Sequence, residues 1–264
     1  MFSELISATK MNCLSDNLVM LATLSYIGKL APRLLVRLHF KNGLAIYSTL
    51  GLLETVLRNI LHVFYYRDYE IIADFRPKAS WSVVDLGAFI GLYTLRSAKL
   101  VGPMGRVIAV EAFPENFKLL KLNVAENNLS NVRLLKGCAW VNWEELVLFQ
   151  PHSPINASTR RDYAELMGGV LHRIYVRAFP LDSLLISLSY VDLLKIDVEG
   201  AELELISGSR SIEPEKVRRI VIEAHLPIVK PSEIAEELER RGYHTVIYFP
   251  EQTFGQAFVY AFNK

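Results

Sequence analysis

The 264-residue chain has only two cysteines, Cys13 and Cys138, and this scarcity excludes two common ways of holding a small fold together. Two thiols make at most one bridge and offer no paired spacing for a zinc knuckle, so a disulfide framework and a cysteine-built metal site are both excluded. They are read as reduced, packed side chains. An excess of charge of one sign is also missing. The 29 Lys and Arg against 28 Asp and Glu leave a formal net charge of +1, without the basic surplus that neutralises phosphates, so no nucleic-acid partner is expected. Long apolar runs are absent too. Asn17 to Gly28, an uncharged run, is twelve residues long, against roughly 20 for a membrane-spanning helix. No basic leader with a small-residue cleavage site follows from the N-terminus, so neither a signal peptide nor a transmembrane segment is expected, and a cytoplasmic location is.

What is present is ordinary globular composition, 51% hydrophobic and 22% charged, enough for one α/β domain of roughly 200 residues and an appendage. Residues 1–30 carry Leu14, Leu18, Leu21 and Leu24 at helical spacing, and Gly28 and Pro32 break the pattern. Leu34–Phe40 and Leu44–Leu50 flank Lys41-Asn42-Gly43, a hairpin signal. Residues 51–79 read as a helix leading into an aromatic connection around Tyr65, Tyr66 and Tyr69. From Trp81 strands and helices alternate, which predicts a parallel sheet with helices on both faces.

The expected strands are Ser82–Leu86, Arg106–Glu111, Val132–Trp140, Asp192–Ile196 and Arg218–Glu223, and the expected helices Gly91–Leu100, Pro114–Asn127, Ala201–Ser207 and Pro231–Arg241. A hairpin from Glu145–Phe149 returning at His172–Ala178 lies between them, with the polar stretch Gln150–Gly169 read as a mobile loop. The closing strands Tyr243–Phe249 and Ala257–Phe262 are too close for a parallel crossover and must be antiparallel neighbours.

Chemistry concentrates at two strand ends. Asp85-Leu86-Gly87-Ala88-Phe89-Ile90-Gly91 occupies the first strand-to-helix turn, where ligands of open α/β sheets bind. Gly87 and Gly91, without a Cβ, let backbone approach a ligand closely, with Ala88 a cofactor-binding candidate in the same turn, but the G-x-x-x-G spacing is neither a dinucleotide fingerprint nor a P-loop. A carboxylate at Asp85 repels a pyrophosphate and suits an amino-acid ammonium such as the one S-adenosylmethionine carries. Glu111, ending the second strand, is placed to accept ribose hydroxyls, and Phe113 to cover an adenine. The second constellation, Lys195-Ile196-Asp197-Val198-Glu199-Gly200-Ala201-Glu202, projects Lys195, Asp197 and Glu199 to one side if the strand persists. The next strand ends in Glu223-Ala224-His225, again with two ionisable groups two residues apart.

These blocks, with Glu111-Ala112-Phe113-Pro114-Glu115-Asn116, resemble the FkbM family of S-adenosylmethionine-dependent methyltransferases over approximately Trp81 to His225. The Lys-Ile-Asp-Val-Glu-Gly-Ala-Glu run is the most specific match. Many members carry Gly-Ala-Asn-Ile-Gly where this chain has Phe89. The resemblance implies a Rossmann-like class I methyltransferase fold, α/β with a mostly parallel seven-stranded sheet and one antiparallel strand near the C-terminus. Residues 1–80 form the extension, with a homodimer through it possible, and 81–264 the methyltransferase domain. It also implies O-methylation of a small molecule, sugar or glycan hydroxyl.

In that reading Asp197 positions the reactants. His225 or Glu223 removes the proton, with His225 favoured because an ordinary imidazole titrates near 6.5. Asp197, Glu223 and His225 are alternatively placed to converge on a divalent ion. His39, His62, His152, His172 and His244 show no ligand spacing. A non-catalytic nucleoside-cofactor-binding protein and an NAD-dependent dehydrogenase are the competing readings.

Overall fold

The structure, a computed structural model, describes residues 23–24, 27–28, 30–151, 154–251 and 255–263. The helix expected within residues 1–30 falls almost wholly outside the described residues, as do Cys13 and His152. Among the described residues no helix is long and apolar enough to cross a membrane.

Strands β1 (Leu35–His39) and β2 (Ala45–Thr49) form the expected antiparallel hairpin, with Gly43 at φ +81° in its turn. Helix α1 (Leu53–Ile60) follows and runs into a π-helical segment, Leu61–Tyr66. The alternating region then begins with β3 (Ser82–Leu86), α2 (Leu92–Val101), β4 (Arg106–Glu111), α3 (Pro114–Glu126) and β5 (Val132–Lys136). Helix α3 opens on Pro114 and carries Glu115 in its first turn, both favourable at a helix N-terminus.

The strand expected over Val132–Trp140 is divided. Gly137, at φ +150°, ends β5 and starts β6 (Cys138–Trp140), which leaves the main sheet. Strand β6 pairs in parallel with β8 (His172–Pro180), and β8 pairs antiparallel with β7 (Glu144–Gln150), giving a separate three-stranded sheet. The stretch expected as a structureless loop contains a short helix, α4 (Arg161–Leu166), and an antiparallel bridge between Phe149 and Ser158.

Beyond β8 come α5 (Leu181–Ile186), β9 (Leu193–Ile196), α6 (Glu202–Gly208), β10 (Arg219–His225), α7 (Pro231–Arg240), β11 (His244–Tyr248) and β12 (Gln256–Phe262). The main sheet has the order β11-β12-β10-β9-β3-β4-β5. Only β12 is reversed, pairing antiparallel with both β10 and β11, as the short link between the last two strands requires.

The two-residue strand period divides the core cleanly. Val83, Val107, Leu193 and Val221 face α1, α2, α3 and the hairpin, while their neighbours Val84, Ile108, Leu194 and Ile222 face α5, α6 and α7. The hairpin therefore shares one hydrophobic core with the sheet. It is also tied by polar contacts. Asn123 of α3 accepts from Tyr47 N at 2.6 Å and donates to Tyr47 O at 3.1 Å and Ile90 O at 2.8 Å. Asn127, one turn on, accepts from Ala45 N at 3.0 Å and donates to Ala45 O at 2.6 Å.

Candidate functional site

A cleft opens beyond the carboxyl ends of β3, β4 and β9, with a volume of about 930 Å³ including its mouth, within the range of small-molecule sites. Gly87, Phe89, Glu111, Phe113, Lys195 and Asp197 are on its wall. The extension contributes Asn59, Val63 and Tyr69, and the segment before α4 contributes Ile155, Ala157 and Thr159.

The glycine turn is built around close backbone approach. Gly87 has φ +73°, and a Cβ there would stand 1.7 Å from the Asp197 carbonyl oxygen. Phe89 also lies in the left-handed region, at φ +51°, a conformation that asparagine tolerates and a bulky aromatic does not favour. The strained turn is held from outside: Glu111 accepts Phe89 N–H and Phe113 N–H, each at 2.8 Å. One carboxylate thus fixes both loops that flank the cleft, and this contact is independent of the side chain at position 89. Burial pushes the Glu111 carboxyl up to about 7, against the two backbone donors. Phe113 is buried with Leu148 and Val176 of the second sheet and presents its remaining surface to the cleft.

Asp85 is not on the cleft wall, which corrects the direct ammonium contact expected from sequence. It is fully buried, with Lys195 Nζ 3.1 Å from Oδ1 and the Thr94 hydroxyl donating to Oδ2 at 2.6 Å. The reason is register: Asp85 and Lys195 are Cα partners in the parallel pair β3–β9. Burial raises Asp85, opposed by the lysine and the hydroxyl. For Lys195 burial acts downward, but Asp197 and Asp85 prevail and raise it, so the ammonium stays charged. That ammonium is itself on the wall, donating to Gly87 O at 3.0 Å and Asp197 Oδ2 at 3.1 Å.

The strand does not continue through the second constellation. Strand β9 ends at Ile196, and Glu199 turns at φ +56°. The turn nevertheless gathers the expected carboxylates, with Asp197 and Glu199 on the wall and Glu223 and His225 behind them. Tyr69, seen in the sequence only as part of an aromatic stretch, is what joins them. Its hydroxyl donates to Asp197 Oδ2 at 3.2 Å and is also hydrogen-bonded to Glu223 Oε2. A phenol has one proton to give, so the two carboxylates compete for it, with Lys195 also serving Asp197.

Burial and the nearby Asp197 charge accordingly push Glu223 up to about 7, with His225 acting the other way. Burial pushes Glu199 up to about 8, against His225. Tyr163 of α4 donates to Glu199 Oε2 at 2.7 Å, and Glu202 lies 2.8 Å from His225 Nδ1. Neither Tyr163 nor the Glu202–His225 contact carried a sequence signal beyond the acidic motif itself. For His225 burial acts downward, but Glu199 and Glu202 overcome it and raise it well above the ordinary value. None of the other described histidines lines the cleft.

Comparison with known proteins agrees with this architecture. Residues 85–245 match the family described as the methyltransferase FkbM domain. The chain is 28% identical over 193 residues to methyltransferase sdnD of Sordaria araneosa, covering 61% of this chain and 73% of that protein. It is 27% identical over 158 residues to methyltransferase 1 of Beauveria bassiana, covering 53% of this chain and 63% of that one. Among solved structures, an FkbM methyltransferase from Methylobacillus flagellatus KT shares the fold with a TM-score of 0.51 at 17% identity, covering 92% of this chain and 58% of that chain. The dehydrogenase and non-catalytic readings fall with this match. The family match extends over more than half of the chain, and the chain belongs to the FkbM methyltransferase family.

Proposed function

We propose that the protein transfers the methyl group of S-adenosylmethionine to a hydroxyl of a small molecule, sugar or glycan. The observation that carries this reading is Asp197. It is on the cleft wall with one oxygen anchored by Lys195 and Tyr69, and its other oxygen, Oδ1, has no hydrogen-bond partner.

The residues present fit the donor. Gly87 is on the cleft wall, Glu111 keeps lone pairs for ribose hydroxyls beyond its two backbone bonds, and Phe113 offers an apolar face to adenine. Lys195 takes up the Asp85 charge, which leaves the carboxylates of Asp197 and Glu199 to face the cationic end of the donor. When bound, S-adenosylmethionine supplies an electrophilic methyl group on a positively charged sulfur. The chain's work is then alignment and proton removal. Lys195 and Tyr69 hold the Asp197 carboxylate in one orientation, and that carboxylate would accept the acceptor's O–H and take its proton. Glu223 supports Asp197 through the shared Tyr69 hydroxyl. The extension and the segment around Ile155 close the acceptor end and set its shape.

The test is a methyl-transfer assay with labelled donor over sugars, phenols and other hydroxyl compounds. Asp197→Asn keeps the shape and removes the base, so turnover should fall by about 10²-fold or more while donor affinity measured by calorimetry is retained. Full activity in that variant would remove Asp197 from the reaction. Donor binding is also expected to depend on pH. Glu111 accepts ribose hydroxyls in its ionised form, and its carboxyl titrates at about 7. Below that pH the donor's Kd should rise by up to about tenfold per unit, and Glu111→Gln should bind weakly with a flat profile.

A further inference from the structure

The acceptor end of the cleft gathers more negative charge than its own cations neutralise. Asp85, Asp197, Glu199, Glu202 and Glu223 meet one lysine, Lys195, and one imidazole, His225. His225 is at the centre, with 3% of its side chain exposed. Its Nδ1 is fixed by Glu202 Oε1 at 2.8 Å, and that oxygen also accepts Gly200 N–H at 2.9 Å. Its Nε2 makes no hydrogen bond, yet oxygens of Glu199, Asp197 and Glu223 stand around it at 3.4, 3.7 and 3.9 Å.

A charge-assisted hydrogen bond would draw one of these oxygens to about 2.7–2.9 Å. On bonds of about 2.1 Å neighbouring ligands stand roughly 3.0–3.4 Å apart, so the Asp197 and Glu223 oxygens, 3.7 and 3.9 Å from Nε2, would close in around one ion. One ligand atom each from Asp197, Glu223 and His225 lies within 4.8 Å of the others. The Asp197 oxygen nearest His225, Oδ1, is the one without a hydrogen-bond partner.

We infer that Asp197, Glu223 and His225 form a binding site for a divalent transition-metal ion. One imidazole nitrogen with two carboxylate oxygens suits Mn²⁺, Fe²⁺ or Zn²⁺ better than Mg²⁺ or Ca²⁺, which favour all-oxygen sets. Glu202 on Nδ1 is the outer carboxylate that orients a ligating histidine, and a bound ion would displace the proton from Nε2. Three protein ligands leave positions toward the cleft, where an acceptor oxygen can bind and be acidified. The inference rests on the reading that this end receives the acceptor, and it deepens it: with an ion present, Asp197 acts on the hydroxyl through the ion.

The test is Mn²⁺ titration of the chelator-stripped full-length protein, followed by calorimetry and electron spin resonance. One Mn²⁺ per chain is expected, with spin-echo modulation from an imidazole nitrogen, and both Glu223→Gln and Glu202→Gln should weaken binding roughly tenfold or more. Donor affinity is measured separately on the stripped protein, so donor binding without saturable uptake of Mn²⁺ or Zn²⁺ overturns the ion and leaves the donor reading standing. Metal binding without donor binding does the reverse. Absence of nitrogen modulation in the wild-type spectrum also overturns the site, a result that stands even where a variant does not fold, as does equal affinity in the wild type and both variants.

Discussion

Replacing Gly87 by alanine should abolish donor binding and methyl transfer together. The added Cβ would meet the Asp197 carbonyl oxygen at 1.7 Å, and that oxygen belongs to the backbone, so no side-chain rotation relieves the clash. Asp197 N–H is bound to Leu86 O at 3.2 Å, which ties the two colliding segments to each other. Relief therefore separates the ends of β3 and β9 and moves both the glycine turn and the Asp197 carboxylate. The left-handed backbone adds roughly 1–2 kcal/mol for any residue with a Cβ. Gly91→Ala is the informative comparison. Its Cβ would meet Leu120 Cδ1 at 2.7 Å, the end of a flexible side chain, and a smaller loss is expected. Calorimetry with S-adenosylmethionine checks both, and wild-type affinity in Gly87→Ala would refute the close-approach argument.

Lys195→Met should cost more stability than any surface substitution in the chain, about 3–5 kcal/mol, because it strands the buried Asp85 carboxylate. Only the Thr94 hydroxyl would remain on it. For a domain of this size the loss corresponds to a fall in Tm on the order of 10 °C. The double variant Lys195→Met with Asp85→Asn should recover a large part of that loss, since a neutral amide no longer needs the ammonium, and the cycle isolates the pair's coupling. Donor affinity is expected to stay low in the double variant, because Lys195 also orients Asp197 and the Gly87 carbonyl. Additive losses in the cycle would show that Asp85 does not depend on Lys195.

Much of the fold was readable because its signals are local. Strand and helix periods alternate from Trp81 onward, and a seven-residue link between the last strands leaves no room for a parallel crossover. The divided strand at Gly137 was not readable, since an apolar run looks the same whether or not its second half joins another sheet. The same limit governs the site. Glu111, Asp197, Glu223 and His225 lie where strand ends must lie, so their placement followed from the order of elements. The partner of Asp85 did not, because Asp85 and Lys195 are 110 residues apart and meet only through the β3–β9 register. Tyr69 was hidden for a related reason: it reaches the carboxylates from a connection with no period of its own.

The paired asparagines of α3 have a consequence for how the molecule behaves among copies of itself. Asn123 and Asn127 supply the amide donors and acceptors that a further strand would offer to Tyr47 and Ala45 of β2. An unmasked strand edge is a template for strand addition by another chain, so these two residues guard solubility. Truncating Asn127 to alanine, which leaves the Asn123 bond to Ile90 of the glycine turn in place, should show as self-association on concentration.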